Sequence, residues 1–160
     1  MPATMKQPTL AEFKQWSRDN YRLAHAVCLA QAFAECERKR VDAYIQPIFE
    51  KYGFRADLTL DRETEWHNKP LTTPRDLYLT EDPRLPEYYA ECDAAHRAHG
   101  FDGPAGHCPA LVAENLLIQA QNALLDSGAK LIGFEPCMLY GETREKMLNL
   151  LLGAALKKGL

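Results

Sequence analysis

The pattern that most constrains this fold is a long helical repeat of apolar residues near the start of the chain. A capping box from Thr9 to Glu12 marks a helix start, because each of the two side chains can bond the backbone N–H of the other residue. Pro47 should bend the helix, and Gly53 suits its end. Together these features predict one long bent helix. Its apolar repeat consists of Leu23, Val27, Ala30, Ala34, Val41, Ile45, Ile48 and Tyr52.

Two later segments favour helices because prolines open them and glycines follow their ends, and a third ends in lysines, which the helix dipole favours there. The predicted stops of the first two are Gly100 and Gly128. Residues 54–80 are polar and irregular, so we expect a long connection there. At most a small two-stranded β element is predicted, formed by residues 54–60 and 131–134. The sequence thus indicates a mainly α fold, a single-domain helical bundle over residues 1–160. The three later helices are predicted over 83–99 or 86–99, 109–126 and 142–158.

Composition limits the function classes. Of the 160 residues, 46% are hydrophobic and 26% are charged, which is typical of a globular protein. The formal net charge of −3 argues against nucleic-acid binding, which needs a basic face. No apolar segment reaches the roughly 18 residues of a membrane span, so no membrane partner is expected. An odd count of five cysteines, without a recognisable secretion signal, favours reduced thiols and a cytoplasmic location.

Ligand-type side chains concentrate between Cys92 and Glu114. On a helix, Cys92, His96 and His99 are spaced by four and three residues and therefore share one face. The glycine-rich loop 100–106 then leads to His107 at the mouth of the next helix. Thiolate and imidazole together suit zinc. We therefore predict a divalent-metal site, zinc first, with Cys92, His96, His99 and His107 as ligands. The alternative is that these residues are structural or surface groups.

Other residues in this region suggest catalysis or ligand binding. Cys108 begins a helix, where the dipole favours a thiolate nucleophile. Glu114 is the only charged side chain between His107 and Asp126, so it is a candidate general base. Two further residues, Asp93 and Asn115, are candidates for ligand binding. The alternatives are a buried capped thiol at Cys108, a structural ion pair at Glu114, and an ion pair of Asp93 with Arg97.

The stretch from His99 to Leu117 resembles part of the redox-enzyme maturation chaperones, which are all-helical proteins that bind leader peptides. In both, a helix ends at glycine, a loop follows, and a start containing proline and histidine opens an apolar helix. The order here is His107-Cys108-Pro109, where that family has Pro-Asp-His. The resemblance covers less than a fifth of the chain and does not assign it to the family. It implies a chaperone-like binding role.

The predicted last helix is apolar nearly all round between Met147 and Leu156. Such a helix is either central in its own fold or covered by a partner. Self-association through residues 142–158 is therefore predicted as well. Two functions follow from the sequence, and neither decides whether the chain is an enzyme. The leading one is a polar His/Cys/Glu pocket for a metal ion or small ligand, and the other is a non-catalytic, self-associating interaction protein.

Overall fold

The computed structural model describes residues 6–54, 74 and 82–156. Within these residues, none of the helices has the length and apolarity needed to cross a membrane. The described residues contain no strand, so the predicted mainly α fold is confirmed. The predicted connection 54–80 lies outside the described residues, apart from Phe54 and Pro74. The helices are α1 (Leu10–Tyr52), α2 (Leu85–Ala98), α3 (Pro109–Ile132) and α4 (Gly141–Leu156), with a 3-10 turn at Pro136–Met138.

Helix α1 begins where the capping box predicts. The Glu12 backbone N–H donates to Thr9 Oγ1 at 3.2 Å, and the Thr9 N–H donates to Glu12 Oε2 at 3.2 Å. These two bonds satisfy donors that have no partner within the first helical turn. The helix continues through Pro47 to Tyr52, and Gly53 ends it at a φ of 60°. The long helix predicted from the sequence is therefore confirmed, and its course through Pro47 is consistent with the predicted bend.

The end of α3 differs from the prediction. Gly128 was expected to stop this helix, but the helix runs on to Ile132, and Gly133 ends it at a φ of 83°. Gly128 serves close packing instead, because a Cβ added there would lie 2.5 Å from Leu151 Cδ1. The prediction of β structure at 131–134 is wrong for Leu131 and Ile132, which form the last turn of α3.

The chain forms two compact units, and each has its own core. Unit 1 contains the described residues of 6–34 and 113–156, so it combines the first half of α1 with most of α3 and all of α4. Trp16 Nε1 donates to Ser127 Oγ at 3.1 Å, and Ser17 Oγ donates to the Ala154 carbonyl at 2.9 Å. Its buried core includes Ala24, Val27, Leu124, Leu125, Leu148, Leu151 and Ala155.

Unit 2 contains the described residues of 35–112 and holds the predicted histidine and cysteine cluster. Its core joins the second half of α1 to α2 and to the start of α3. Rings dominate one end of this core, where Tyr88 meets Phe54 edge-on at a centroid distance of 5.2 Å. The buried residues of this core are Val41, Ile45, Phe49, Phe54, Tyr88 and Cys92.

Candidate functional site

The face of α2 that carries the predicted ligands divides into a buried part and an exposed part. Tyr88, Cys92 and His96 recur at every fourth residue and are buried, at 2%, 8% and 5% exposure. His99 follows the last residue of the helix and is exposed. The inward residues therefore meet the core of unit 2, whereas His99 lies at its surface.

His96 is held in a hydrogen-bonded, largely apolar setting. Its Nδ1 lies 2.7 Å from the Tyr44 hydroxyl, and its ring meets that of Phe101 edge-on at 6.2 Å. Burial lowers the pKa of His96 below its usual value, with Arg40 and His99 adding to the effect, while Asp93 opposes it. The neutral imidazole is therefore the favoured form in the folded chain. The arrangement fits a structural pair of His96 with Tyr44.

His99 is fixed by a backbone group and by a ring. Its Nδ1 lies 2.9 Å from the Ala95 carbonyl, which can only accept, so Nδ1 carries a proton. The His99 ring stacks on Tyr44, with a centroid distance of 4.0 Å and an angle of 9° between the planes. The Arg40 guanidinium lies 5.9 Å from the centre of the same Tyr44 ring. Tyr44 thus joins both histidines to α1, and its place in the cluster was not predicted.

The glycine-rich loop is tied back to α2. The Gly106 N–H donates to both carboxylate oxygens of Asp93, at 3.1 and 3.2 Å. The Phe101 N–H donates to the His96 carbonyl at 2.9 Å. Gly106 has a φ of 82°, in the region where only glycine is unstrained. Asp93 therefore positions the loop, and its predicted ligand-binding role stays a prediction.

Cys92 and Cys108 both contact the core of unit 2. Cys92 is buried with Tyr88 in the core of unit 2, and burial raises the pKa of its thiol. A thiol with a raised pKa is a weaker nucleophile and a weaker metal ligand at neutral pH, because both roles need the thiolate. Cys108 is half-buried against the core, and its carbonyl accepts from the Val112 N–H at 3.0 Å. Its predicted nucleophilic role is not tested by these contacts.

The geometry offers no support for the predicted metal site. Among residues 6–54, 74 and 82–156, no three His, Cys, Asp or Glu side chains are grouped so that they could hold a metal ion. His107 is exposed, and its backbone N–H donates to the Pro104 carbonyl at 3.1 Å. Glu114 and Asn115 lie on the part of α3 that belongs to unit 1, where Glu114 is half-buried and Asn115 exposed. The metal-binding and catalytic roles therefore stay predictions.

A cavity of about 550 Å³ lies elsewhere in unit 2, at the ends of α1 and α2. Its polar groups bind one another: Lys51 Nζ lies 2.7 Å from Glu91 Oε1, and the Tyr52 hydroxyl donates to the same oxygen at 2.9 Å. Burial and the bond to Glu91 raise the pKa of Tyr52 to about 12. The lining has two basic and two acidic side chains, and this pattern does not indicate a particular class of ligand. It consists of Lys51, Tyr52, Arg84, Glu87, Ala90 and Glu91.

A different surface stands out in unit 1. Tyr21, Leu29 and Phe33 on α1 are 39%, 61% and 49% exposed. With the exposed His25 they recur at every fourth residue and form what we call the α1 stripe. The opposite face of the same helix is buried in the unit 1 core through Ala24 and Val27.

Sequence reasoning missed the α1 stripe because it followed a single apolar repeat along this helix. A usable signal was present. The twelve residues from Leu23 to Ala34 include no Asp, Glu, Lys or Arg, so both faces of this stretch are uncharged. A helix without a polar face is covered on more than one side in a stable fold.

Comparisons with protein-family models, with curated proteins and with solved structures found no match. The resemblance of His99–Leu117 to the redox-enzyme maturation chaperones gains no support from them.

The environment of His96 predicts a dependence of stability on pH. Folding lowers the pKa of His96, so the unfolded chain binds a proton on this residue more readily than the folded chain does. The stabilisation that the neutral His96 gives to the folded state is therefore lost as the pH falls below the unfolded pKa of about 6.5. We expect the free energy of unfolding, measured with urea, to decrease between pH 7.5 and pH 5. His96→Gln should flatten this slope, whereas His107→Gln, at an exposed histidine, should keep it. Equal slopes in all three proteins would contradict a buried neutral His96.

Proposed function

We propose that this chain is a non-catalytic helical interaction protein that self-associates through the α1 stripe. The proposal rests chiefly on Leu29, which is 61% exposed in the middle of an uncharged helical stretch. Phe33, one turn further on, is 49% exposed. Adjacent large apolar side chains in contact with water are a common mark of protein interfaces.

The histidine and cysteine cluster of unit 2 supports this choice over the pocket hypothesis. His96 bonds Tyr44, Cys92 is buried in the core of unit 2, and Asp93 holds the loop at Gly106. Each of these side chains has a structural partner within the unit. The cluster is therefore explained as a polar part of the core, where satisfied hydrogen bonds are the rule.

The α1 stripe is also better suited to association than the predicted interface at residues 142–158. Leu148 and Leu151 of α4 are 7% and 0% exposed, because they pack in the core of unit 1. Among the described residues of α4, Leu150 is the large apolar side chain that is mainly exposed, at 56%. The interface at 142–158 stays a prediction, and Leu150 provides its test.

The expected association is weak. Complete burial of a leucine or phenylalanine contributes about 1.5–3 kcal/mol, and Leu29 and Phe33 are already partly covered. Association itself costs about 4–15 kcal/mol in lost freedom of motion. Because these contributions are similar in size, we expect weak association that is detected only at high protein concentrations.

The test is a pair of charge substitutions in the α1 stripe. We expect the double variant Leu29→Glu with Phe33→Glu to sediment as a monomer at concentrations where the unmodified chain associates, because burying the new carboxylates is unfavourable. Both positions are exposed, so circular dichroism should show unchanged helix content. The matched control is Leu150→Glu, which changes a similarly exposed leucine on α4 and should leave the mass unchanged.

Two outcomes would overturn the proposal. One is a double variant that associates as strongly as the unmodified chain. The other is dissociation caused by Leu150→Glu alone, which would place the interface on α4 as the sequence suggested.

A further inference from the structure

We infer that the glycine-rich loop 100–106 is a hinged lid over the buried side chain of His96, and that it opens while the core of unit 2 stays folded. The inference concerns unit 2 and does not depend on the α1 stripe. The His96 ring is 5% exposed and meets the rings of Tyr44 and Phe101 at centroid distances of 5.5 and 6.2 Å. Tyr44 belongs to α1 and Phe101 to the loop, so opening of the loop uncovers one side of the imidazole.

The closed lid is built around Phe101. The ring of Phe101 is half-buried, and a Cβ added at Gly103 would overlap it, so the backbone of the lid lies directly on this ring. The Phe101 N–H donates to the His96 carbonyl at 2.9 Å, and the Gly100 N–H donates to the Arg97 carbonyl at 3.0 Å. These two bonds form the Schellman pattern that ends a helix at glycine, with Phe101 as its apolar contact. The near end of the lid is therefore held at the end of α2.

The Asp93 carboxylate holds the far end of the lid. Both of its oxygens accept from the Gly106 N–H, at 3.1 and 3.2 Å, and Gly106 is exposed. A hydrogen bond that water can reach contributes little to stability, because bonds to water replace it when it breaks. Within the lid, the His107 N–H donates to the Pro104 carbonyl at 3.1 Å, so this turn has a bond of its own. The far end can therefore separate from α2 at a small cost in free energy.

Both ends of the lid have the backbone freedom of a hinge. Gly100 and Gly106 have φ values of 90° and 82°, and a Cβ added at either residue would meet nothing within 4 Å. Residues of this kind often absorb the backbone rotations of a moving loop. The buried residues of the unit 2 core, from Val41 to Cys92, all lie outside the lid. Because segments with few buried contacts open at a lower free energy than the core, we expect the lid to open first.

The test measures how fast His96 reacts with diethyl pyrocarbonate, which modifies histidine rings that solvent can reach. Trypsin cuts after Arg84 and Arg97, so the peptide 85–97 contains His96 and none of the other four histidines. We expect Asp93→Ala to raise the rate about threefold or more, because it removes the acceptor of the Gly106 N–H. Gly106→Ala should also raise the rate about threefold or more, because alanine is strained at a φ of 82° and the closed lid requires that angle.

The matched control is Asp102→Ala, which changes an exposed carboxylate within the lid and should leave the rate unchanged. Urea distinguishes lid opening from global unfolding, because an opening that exposes little surface depends only weakly on urea. Below the unfolding transition, the His96 rate should therefore depend on urea less steeply than hydrogen exchange at the Ile45 amide, which lies within α1. Equal urea dependence would overturn the lid, since His96 would then be uncovered only by global unfolding. An unchanged rate in Gly106→Ala would also overturn it, because Asp93 can act on the imidazole through its charge alone.

Discussion

Replacing Leu151 by alanine should lower the free energy of unfolding by about 2–5 kcal/mol, because the side chain is fully buried and leaves a cavity. Leu151 packs against Gly128 of α3 in the core of unit 1. Urea unfolding followed by circular dichroism measures the change. A loss below about 1 kcal/mol would show that Leu151 is not part of a tight core.

The contact between Gly128 and Leu151 predicts that the effect of a substitution at Gly128 depends on the residue at position 151. In the unmodified chain, Gly128→Ala should be destabilising by about 1–3 kcal/mol, since its Cβ would lie 2.5 Å from Leu151 Cδ1. In the Leu151→Ala background the obstacle is gone, and the same change should stabilise the helix by up to about 1 kcal/mol. The effect of one methyl group thus reverses its sign.

The control is Gly153→Ala in α4. Gly153 is exposed, and a Cβ added there meets nothing within 4 Å. It should stabilise the chain by up to about 1 kcal/mol in either background. If Gly128→Ala behaves like Gly153→Ala in the unmodified chain, the close approach of α3 and α4 at this point is wrong.

The second large effect is expected in unit 2, at Tyr88. Its side chain is 2% exposed and meets the rings of Phe49, Tyr52, Phe54 and the adjacent Tyr89 edge-on, at centroid distances of 5.2 to 6.3 Å. By analogy with other buried aromatic residues, Tyr88→Ala should cost about 3–5 kcal/mol in unfolding free energy. The urea midpoint measures the loss of stability, and near-ultraviolet circular dichroism measures the loss of fixed ring packing.

Two companion variants separate the ring from its hydroxyl. Tyr88→Phe keeps the buried ring and removes only the hydroxyl, so it should cost only about 0.5–1.5 kcal/mol. Tyr89→Ala changes the neighbouring tyrosine, which is 50% exposed, and should have a small effect. Equal losses for Tyr88→Ala and Tyr89→Ala would contradict a ring core centred on Tyr88.

Helix ends were predicted correctly from the sequence where they depend on residues that are neighbours in the chain. The capping box at Thr9, the glycine after Tyr52 and the proline that opens α3 each act on neighbouring backbone groups. Gly128 failed as a stop signal because its role is set by Leu151, which is distant in sequence. A contact between two helices leaves no mark in the sequence near either residue.

The candidate site shows the same limit. Helical spacing correctly placed Cys92 and His96 on one face of α2, but it could not show that this face turns towards Tyr44. The partner of His96 lies 52 residues earlier in the chain. Tertiary packing decides which groups form hydrogen bonds with a buried imidazole. It also decides whether Leu29 and Phe33, on a helix with an apolar sequence, are buried or exposed.

Sedimentation equilibrium of the unmodified chain, over concentrations from about 5 µM to about 1 mM, measures self-association most directly. If the chain self-associates through the α1 stripe, the mass rises from about 18 kDa towards twice that value. The rise is absent in the chain carrying Leu29→Glu and Phe33→Glu. A mass that stays at that of one chain up to the highest concentration would contradict self-association through the α1 stripe.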